Sequence, residues 1–171
     1  MSLLDRRRLL RVSGAALAVS LSGCIQPLYA PIDGVDVAAE LRAVAIEPVP
    51  ERLGHYLHQE LVLAFDGTGG GTPPKYTLLV TAKERVLTPL VDTFSGRADS
   101  ATVAVDAEYK LVPLGGGEPI TAGVAQSNAN YDRSSQRFAN IRAARDAEIR
   151  LAKALADQIR TRVAAALVSK R

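Results

Sequence analysis

His55 and His58 are the only histidines of this chain and Cys24 is its only cysteine. Three residues apart in a segment with helical spacing, the two imidazoles could share a metal ion, but the sequence places no third ligand beside them. They read as solvated helix histidines. A lone cysteine closes no internal disulfide and builds no thiolate-rich metal site. Gly67 to Pro74 is glycine-rich, yet it follows a helix and leads into Pro73-Pro74 and a strand. A phosphate loop needs a Gly-Lys-Ser/Thr ending that opens a helix, so this stretch reads as a flexible connector. There is no Gly-x-Ser-x-Gly elbow and no His-Glu-x-x-His. An enzyme of unfamiliar type would need a convergent acid, base or nucleophile, and none is identifiable. The residues point to a protein without catalysis, metal or cofactor.

The thiol of Cys24 has another use. Arg6, Arg7, Arg8 and Arg11 precede an apolar run from Val12 to Leu21, about half the length of a membrane-spanning helix, and the run ends in Leu21-Ser22-Gly23-Cys24. This order of charge, apolar run, small residues and cysteine resembles the signal and lipobox of bacterial lipoproteins, in which the cysteine is acylated and becomes the mature N-terminus. A buried free cysteine at the end of a short helix is the plain alternative. On the lipoprotein reading, residues 1–23 are removed, acyl chains such as palmitate on Cys24 hold the protein to a bilayer, and Ile25 in place of aspartate directs it to the outer membrane. The Arg6-Arg7-Arg8-Leu9-Leu10 stretch also resembles a twin-arginine signal, so the export route stays open.

Removal of the leader changes the charge argument. The four arginines against Asp5 account for the whole formal net charge of +3, and the rest of the chain is neutral. A pI near 9.2 therefore does not indicate a nucleic-acid partner.

The remaining elements form one domain with enough length for a core. Ile25 to Glu40, with Pro27, Pro31 and Gly34, reads as a lipidated tether over 24–40, and the domain as 41–171. Ala43 to Val49 suits a short strand, and Glu51 to Phe65 an amphipathic helix with Leu53, Leu57 and Leu61 on one side. Tyr76 to Val86, Ala101 to Leu111 and Ile120 to Tyr131 alternate as three strands of an antiparallel meander. From Ser135 to Ser169 there is neither glycine nor proline, which predicts a long helix capped by Asp132 or Ser134. Its apolar stripe is read as Phe138, Ile141, Ile149, Ala152, Ala156, Ile159, Val163 and Leu167. Charges fill the other side, with i,i+4 pairs Arg142–Asp146, Asp146–Arg150 and Lys153–Asp157. Arg145 falls inside the stripe and must either snorkel or pair with a carboxylate. The fold class is α+β: a two-layer sandwich of a four-stranded mixed sheet packed by two helices.

Cys24 followed by Pro27-Leu28-Tyr29, together with Ser127-Asn128-Ala129-Asn130-Tyr131-Asp132-Arg133-Ser134 running into Arg137-Phe138-Ala139-Asn140 and a long alanine-rich helix, resembles the lipopolysaccharide-assembly lipoprotein family LptE. Members often carry Gly-Phe-x before Pro-Leu-Tyr, where this chain has only Ile25-Gln26. The resemblance implies a plug subunit that assists assembly of the β-barrel LptD and contacts lipopolysaccharide on its way to the outer leaflet. A generic envelope lipoprotein is the alternative. A glycolipid bearing phosphates and carboxylates calls for cations beside accessible surface. Lys83, Arg85 and Lys110 on the polar sides of their strands, and Arg97 in the connector, are the candidates; the plainer reading pairs them across strands with Asp106 and Glu108.

Overall fold

A computed structural model describes residues 36–66, 71–88 and 99–170. The elements in chain order are α1 (Val37–Arg42), β1 (Val44–Ile46), α2 (Glu51–Asp66), β2 (Tyr76–Leu87), β3 (Ser100–Pro113), β4 (Thr121–Asp132) and α3 (Arg137–Ser169). One sheet runs in the order β1-β2-β3-β4, with β1 parallel to β2 and the other pairs antiparallel. The expected four-stranded mixed sheet is present. A third helix joins the two anticipated, because α1 begins at Val37, inside the stretch assigned to the tether, and buries Val37 and Leu41. Two anchors four residues apart are too few to establish a period, so a helix of six residues leaves little trace in sequence.

Alternation along β3 is complete: Ala101, Val103, Val105, Ala107, Tyr109 and Leu111 are buried on the helix-facing side. Leu78 and Val80 from β2 join them. In β4 the side carrying Ala122, Val124, Gln126 and Asn128 turns outward, and its partner side presents Gly123, Ala125, Ser127 and Ala129. These small residues keep the layer thin. A Cβ on Gly123 would stand 2.9 Å from the Tyr109 hydroxyl. Similarly, Gly54 fits against the turn from β1 into α2, where a Cβ would meet the Val49 carbonyl oxygen at 2.7 Å.

The long helix covers the sheet with Leu151, Leu155, Ile159, Val163 and Leu167, backed by Ala147, Ala152, Ala156 and Ala164. The anticipated stripe is right from Ala152 onward and wrong before it: Phe138, Ile141 and Ile149 are 74%, 48% and 41% exposed. No residue from 137 to 146 is buried. At 1.5 Å per residue, this leaves roughly 15 Å of α3 without a core beneath it. Where the core begins, the contact face is set by Leu151 and Leu155, about a quarter-turn or more from Phe138 and Ile149. The N-cap differs too. Gln136 occupies the position without a side-chain bond. Asn140 instead closes the turn, accepting from Ser134 N at 2.8 Å and donating to Ser134 O at 2.9 Å.

Candidate functional site

The outer face of the sheet carries three of the cations singled out from sequence, and two are engaged. Register places Lys83 opposite Asp106 and Arg85 opposite Ala104. The side chains lean diagonally, so that Lys83 Nζ meets Glu108 Oε1 at 2.9 Å and Arg85 reaches Asp106 Oδ2 at 2.5 Å. Gln126 adds an amide donor to the other oxygen of Asp106 at 2.8 Å. The hydrogen bond with Glu108 raises the Lys83 pKa, and the same bond lowers that of Glu108. Lys110 sits in a cross-strand row between Leu79 and Ala122 and makes no ion pair among the described residues. Arg97 lies outside the described residues, as do Cys24 and Gly67 to Gly70 of the connector.

A second surface emerges at the start of α3. At 100° per residue, Phe138, Ile141, Arg142, Arg145 and Ile149 fall within about 100° of one another. All five are exposed. Arg145, which the sequence places in an apolar stripe, is exposed because the stripe itself faces solvent over these turns, and Arg142, assigned above to the charged side, lies at the margin of the same sector. Neither Arg142 nor Arg145 makes an ion pair among the described residues. Of the three anticipated i,i+4 pairs, Asp146–Arg150 forms at 2.9 Å, while Arg142–Asp146 and Lys153–Asp157 do not form among the described residues. Exposed aromatic and aliphatic groups alternating with unpaired guanidinium groups form a surface suited to an anionic amphiphile.

This stretch is fixed at its root by a contact that sequence reading overlooked. Glu148 is the one charged residue that is buried among the described ones, at 2% exposure, and it accepts from both Nε and a terminal nitrogen of Arg52, the Nε contact being 2.8 Å. A bidentate guanidinium–carboxylate pair is directional as well as strong. It ties the first turn of α2 to α3 and raises the Arg52 pKa. Glu84, from the helix-facing side of β2, adds a carboxylate to this neighbourhood. Its pKa is raised, first by burial and then by the Glu148 charge, with Arg52 opposing. The signal was visible: Glu148 precedes Leu151 and Leu155 at i+3 and i+7, on the same face as the core leucines.

The sheet edges differ. Outward carbonyls of β4 at Val124, Gln126 and Asn130 accept from Arg162, Gln158 and Arg150 of α3 at 2.5, 3.1 and 3.3 Å. Helix side chains therefore cover the edge that an antiparallel sheet would otherwise offer to another strand.

Among the described residues no group of three or more His, Cys, Asp and Glu could hold a metal ion. His55 bonds Gln59 at 3.0 Å on the exposed side of α2. His58 turns partly inward, and its Nδ1 is buried without a hydrogen-bond partner, which departs from the solvated reading of both rings. No described helix is long and apolar enough to cross a membrane.

A family model described as LptE, lipopolysaccharide-assembly, matches residues 41–163. A lipoprotein of Caulobacter crescentus is similar in structure, with TM-score 0.67, 23% identity, and coverage of 78% of this chain and 97% of that one. A minor lipoprotein of Acinetobacter baumannii has TM-score 0.54 at 13% identity, covering 71% of this chain and 90% of that one. Lipoprotein B of Nitrosomonas europaea has TM-score 0.53 at 16% identity, covering 74% and 84%. At such identities these likenesses establish the fold. No curated protein matches the chain.

Proposed function

The chain belongs to the LptE lipopolysaccharide-assembly family, and from that premise we propose that it is an outer-membrane lipoprotein, anchored through acylated Cys24, whose domain seats in an LptD-like β-barrel. There it assists assembly of the barrel and contacts lipopolysaccharide during insertion into the outer leaflet. The work is binding and positioning, not catalysis.

The observation that carries the glycolipid part of this reading is the exposed stripe of Phe138, Ile141, Arg142, Arg145 and Ile149. Lipopolysaccharide presents phosphates beside acyl chains, and guanidinium forks set between apolar side chains match both at once. Because no residue of 137–146 contributes to the core, this segment can engage a ligand without disturbing the fold. Lys110 and Arg97 extend the proposed contact set. Lys83 and Arg85 would first have to leave Glu108 and Asp106.

The test of the partner is affinity purification of the full chain from detergent-solubilised outer membranes. Recovery of a large β-barrel in equal amount supports the proposal. Recovery of the chain alone favours a generic envelope lipoprotein.

A further inference from the structure

The two edges of the sheet are treated oppositely, and the untreated one has the features of a docking site. Three α3 side chains occupy the outward carbonyls of β4. At the other edge, β1 is only three residues long and pairs with β2 on one side. Tyr76 N bonds Ala43 O, and Glu47 N bonds Leu78 O. In a parallel ladder, backbone groups alternate in direction, so if residues 43, 45 and 47 face β2, then Val44 and Ile46 direct their N–H and C=O groups away from it. No backbone partner for these outward groups occurs among the described residues.

Beside them lies a groove of about 270 Å³, lined in part by Val44, Ile46, Val62, Phe65 and Arg42. Val62 is exposed. Arg42 is exposed and makes no ion pair among the described residues. Outward amide and carbonyl groups at alternate residues of an edge are matched best by another extended backbone, and the apolar wall accepts alternate side chains of such a strand. Arg42 in the groove lining selects for an acidic residue or a free carboxylate.

We infer that the β1 edge receives an extended strand of the barrel partner, with apolar side chains lying against Val62 and Phe65 and an acidic group at Arg42. This rests on the proposed barrel partnership and adds to it where, and by which backbone mode, the two chains join. A second copy of this chain and a short lipid chain are the competing occupants.

A photo-crosslinking amino acid placed at Val62 in the full chain, expressed with the barrel protein, tests the inference. A control carries it at Val124 on the outer face of β4. The expected result is a crosslink from position 62 to one short segment of the barrel protein. Ile46→Pro removes an outward N–H while sparing the β1–β2 ladder, and it should abolish that crosslink in a chain that melts as wild type does. Should Ile46→Pro misfold, Arg42→Glu provides the second variant, and it should weaken the same crosslink. Barrel recovered with no crosslink from position 62, or with one that survives both variants, overturns the inference alone. A crosslink joining two copies of this chain, or only lipid, also overturns it. Failure to recover the barrel with the unmodified chain contradicts the proposed function, and the inference falls with it.

Discussion

Replacing Arg52 by alanine leaves the Glu148 carboxylate, 2% exposed, without its cation. Truncating one partner of a fully buried pair costs about 3–5 kcal/mol, because the remaining charge is stranded away from water. An exposed pair is worth about 0–1 kcal/mol. Here the carboxylate is buried but the Arg52 side chain is 60% exposed, so water entering the vacated space recovers part of the loss and places the expected cost near 2 kcal/mol. Arg52→Lys keeps the charge but loses the fork, and should fall between wild type and alanine. Glu148→Gln keeps the shape and one acceptor and should cost about 1–2 kcal/mol. In the double variant, Arg52→Ala with Glu148→Gln, the stranded charge is gone, so the losses should not add; a coupling of about 1–2 kcal/mol is expected. Urea unfolding of wild type and these four variants at neutral pH, followed by circular dichroism with a common slope, measures each quantity. An Arg52→Ala protein within about 0.5 kcal/mol of wild type, or strictly additive losses, would refute the role given to this pair.

Along α3, Leu155→Ala should cost about 2–5 kcal/mol, whereas Ile149→Asp, on the exposed stripe, should cost under about 1 kcal/mol; equal melting shifts would contradict the assigned faces. Gly54→Ala drives a methyl into the Val49 carbonyl and should destabilise by about 1–3 kcal/mol in the same unfolding assay. Burial raises the Glu84 pKa above its ordinary 4.5, so the folded state holds this proton more tightly than the unfolded chain does. The resulting stabilisation is complete below 4.5 and is lost as pH rises through the raised value; melting temperatures of wild type and Glu84→Gln, compared over about pH 4 to 7, should converge in slope only if this is wrong. Cys24→Ala should abolish acylation and leave an unprocessed or soluble periplasmic chain, as mass spectrometry of the membrane fraction would register.

The strands and α2 were legible because their periods are strong: β3 alternates without a break from Ala101 to Leu111, and Leu53, Leu57 and Leu61 repeat at one helical turn. What failed in α3 was direction. Phe138, Ile141 and Ile149 continue the angular stripe of Ala156 and Val163, and periodicity alone cannot say that the sheet no longer lies beneath the first turns. Glu148 escaped for the converse reason, since a charge on the core face is interpretable only when its partner, 96 positions earlier in the chain, is known to arrive beside it. Over the middle of β4 the outward side carries Val124, Gln126 and Asn128, because close approach of α3 favours Gly123, Ala125, Ser127 and Ala129 on the other. Side-chain volume there is governed by interlayer distance more than by hydrophobicity. Lys83 and Arg85 lie on the outer face as expected, and the plainer reading of them, pairing across strands with Asp106 and Glu108, is the one the structure shows; only which cation meets which carboxylate depends on register, which alternation does not specify.

Binding of purified lipopolysaccharide to the full chain at low salt tests the central claim most directly. Two partly exposed, charge-assisted contacts should together be worth about 1.5–3 kcal/mol, so the Arg142→Asp, Arg145→Asp double variant should bind roughly tenfold to a hundredfold more weakly than wild type. The difference should shrink as salt is added. Lys83→Ala with Arg85→Ala, which removes two cations already paired within the sheet, should bind nearly as wild type does. A folded Arg142→Asp, Arg145→Asp protein that binds as tightly as wild type would contradict the assignment of this stripe to the glycolipid.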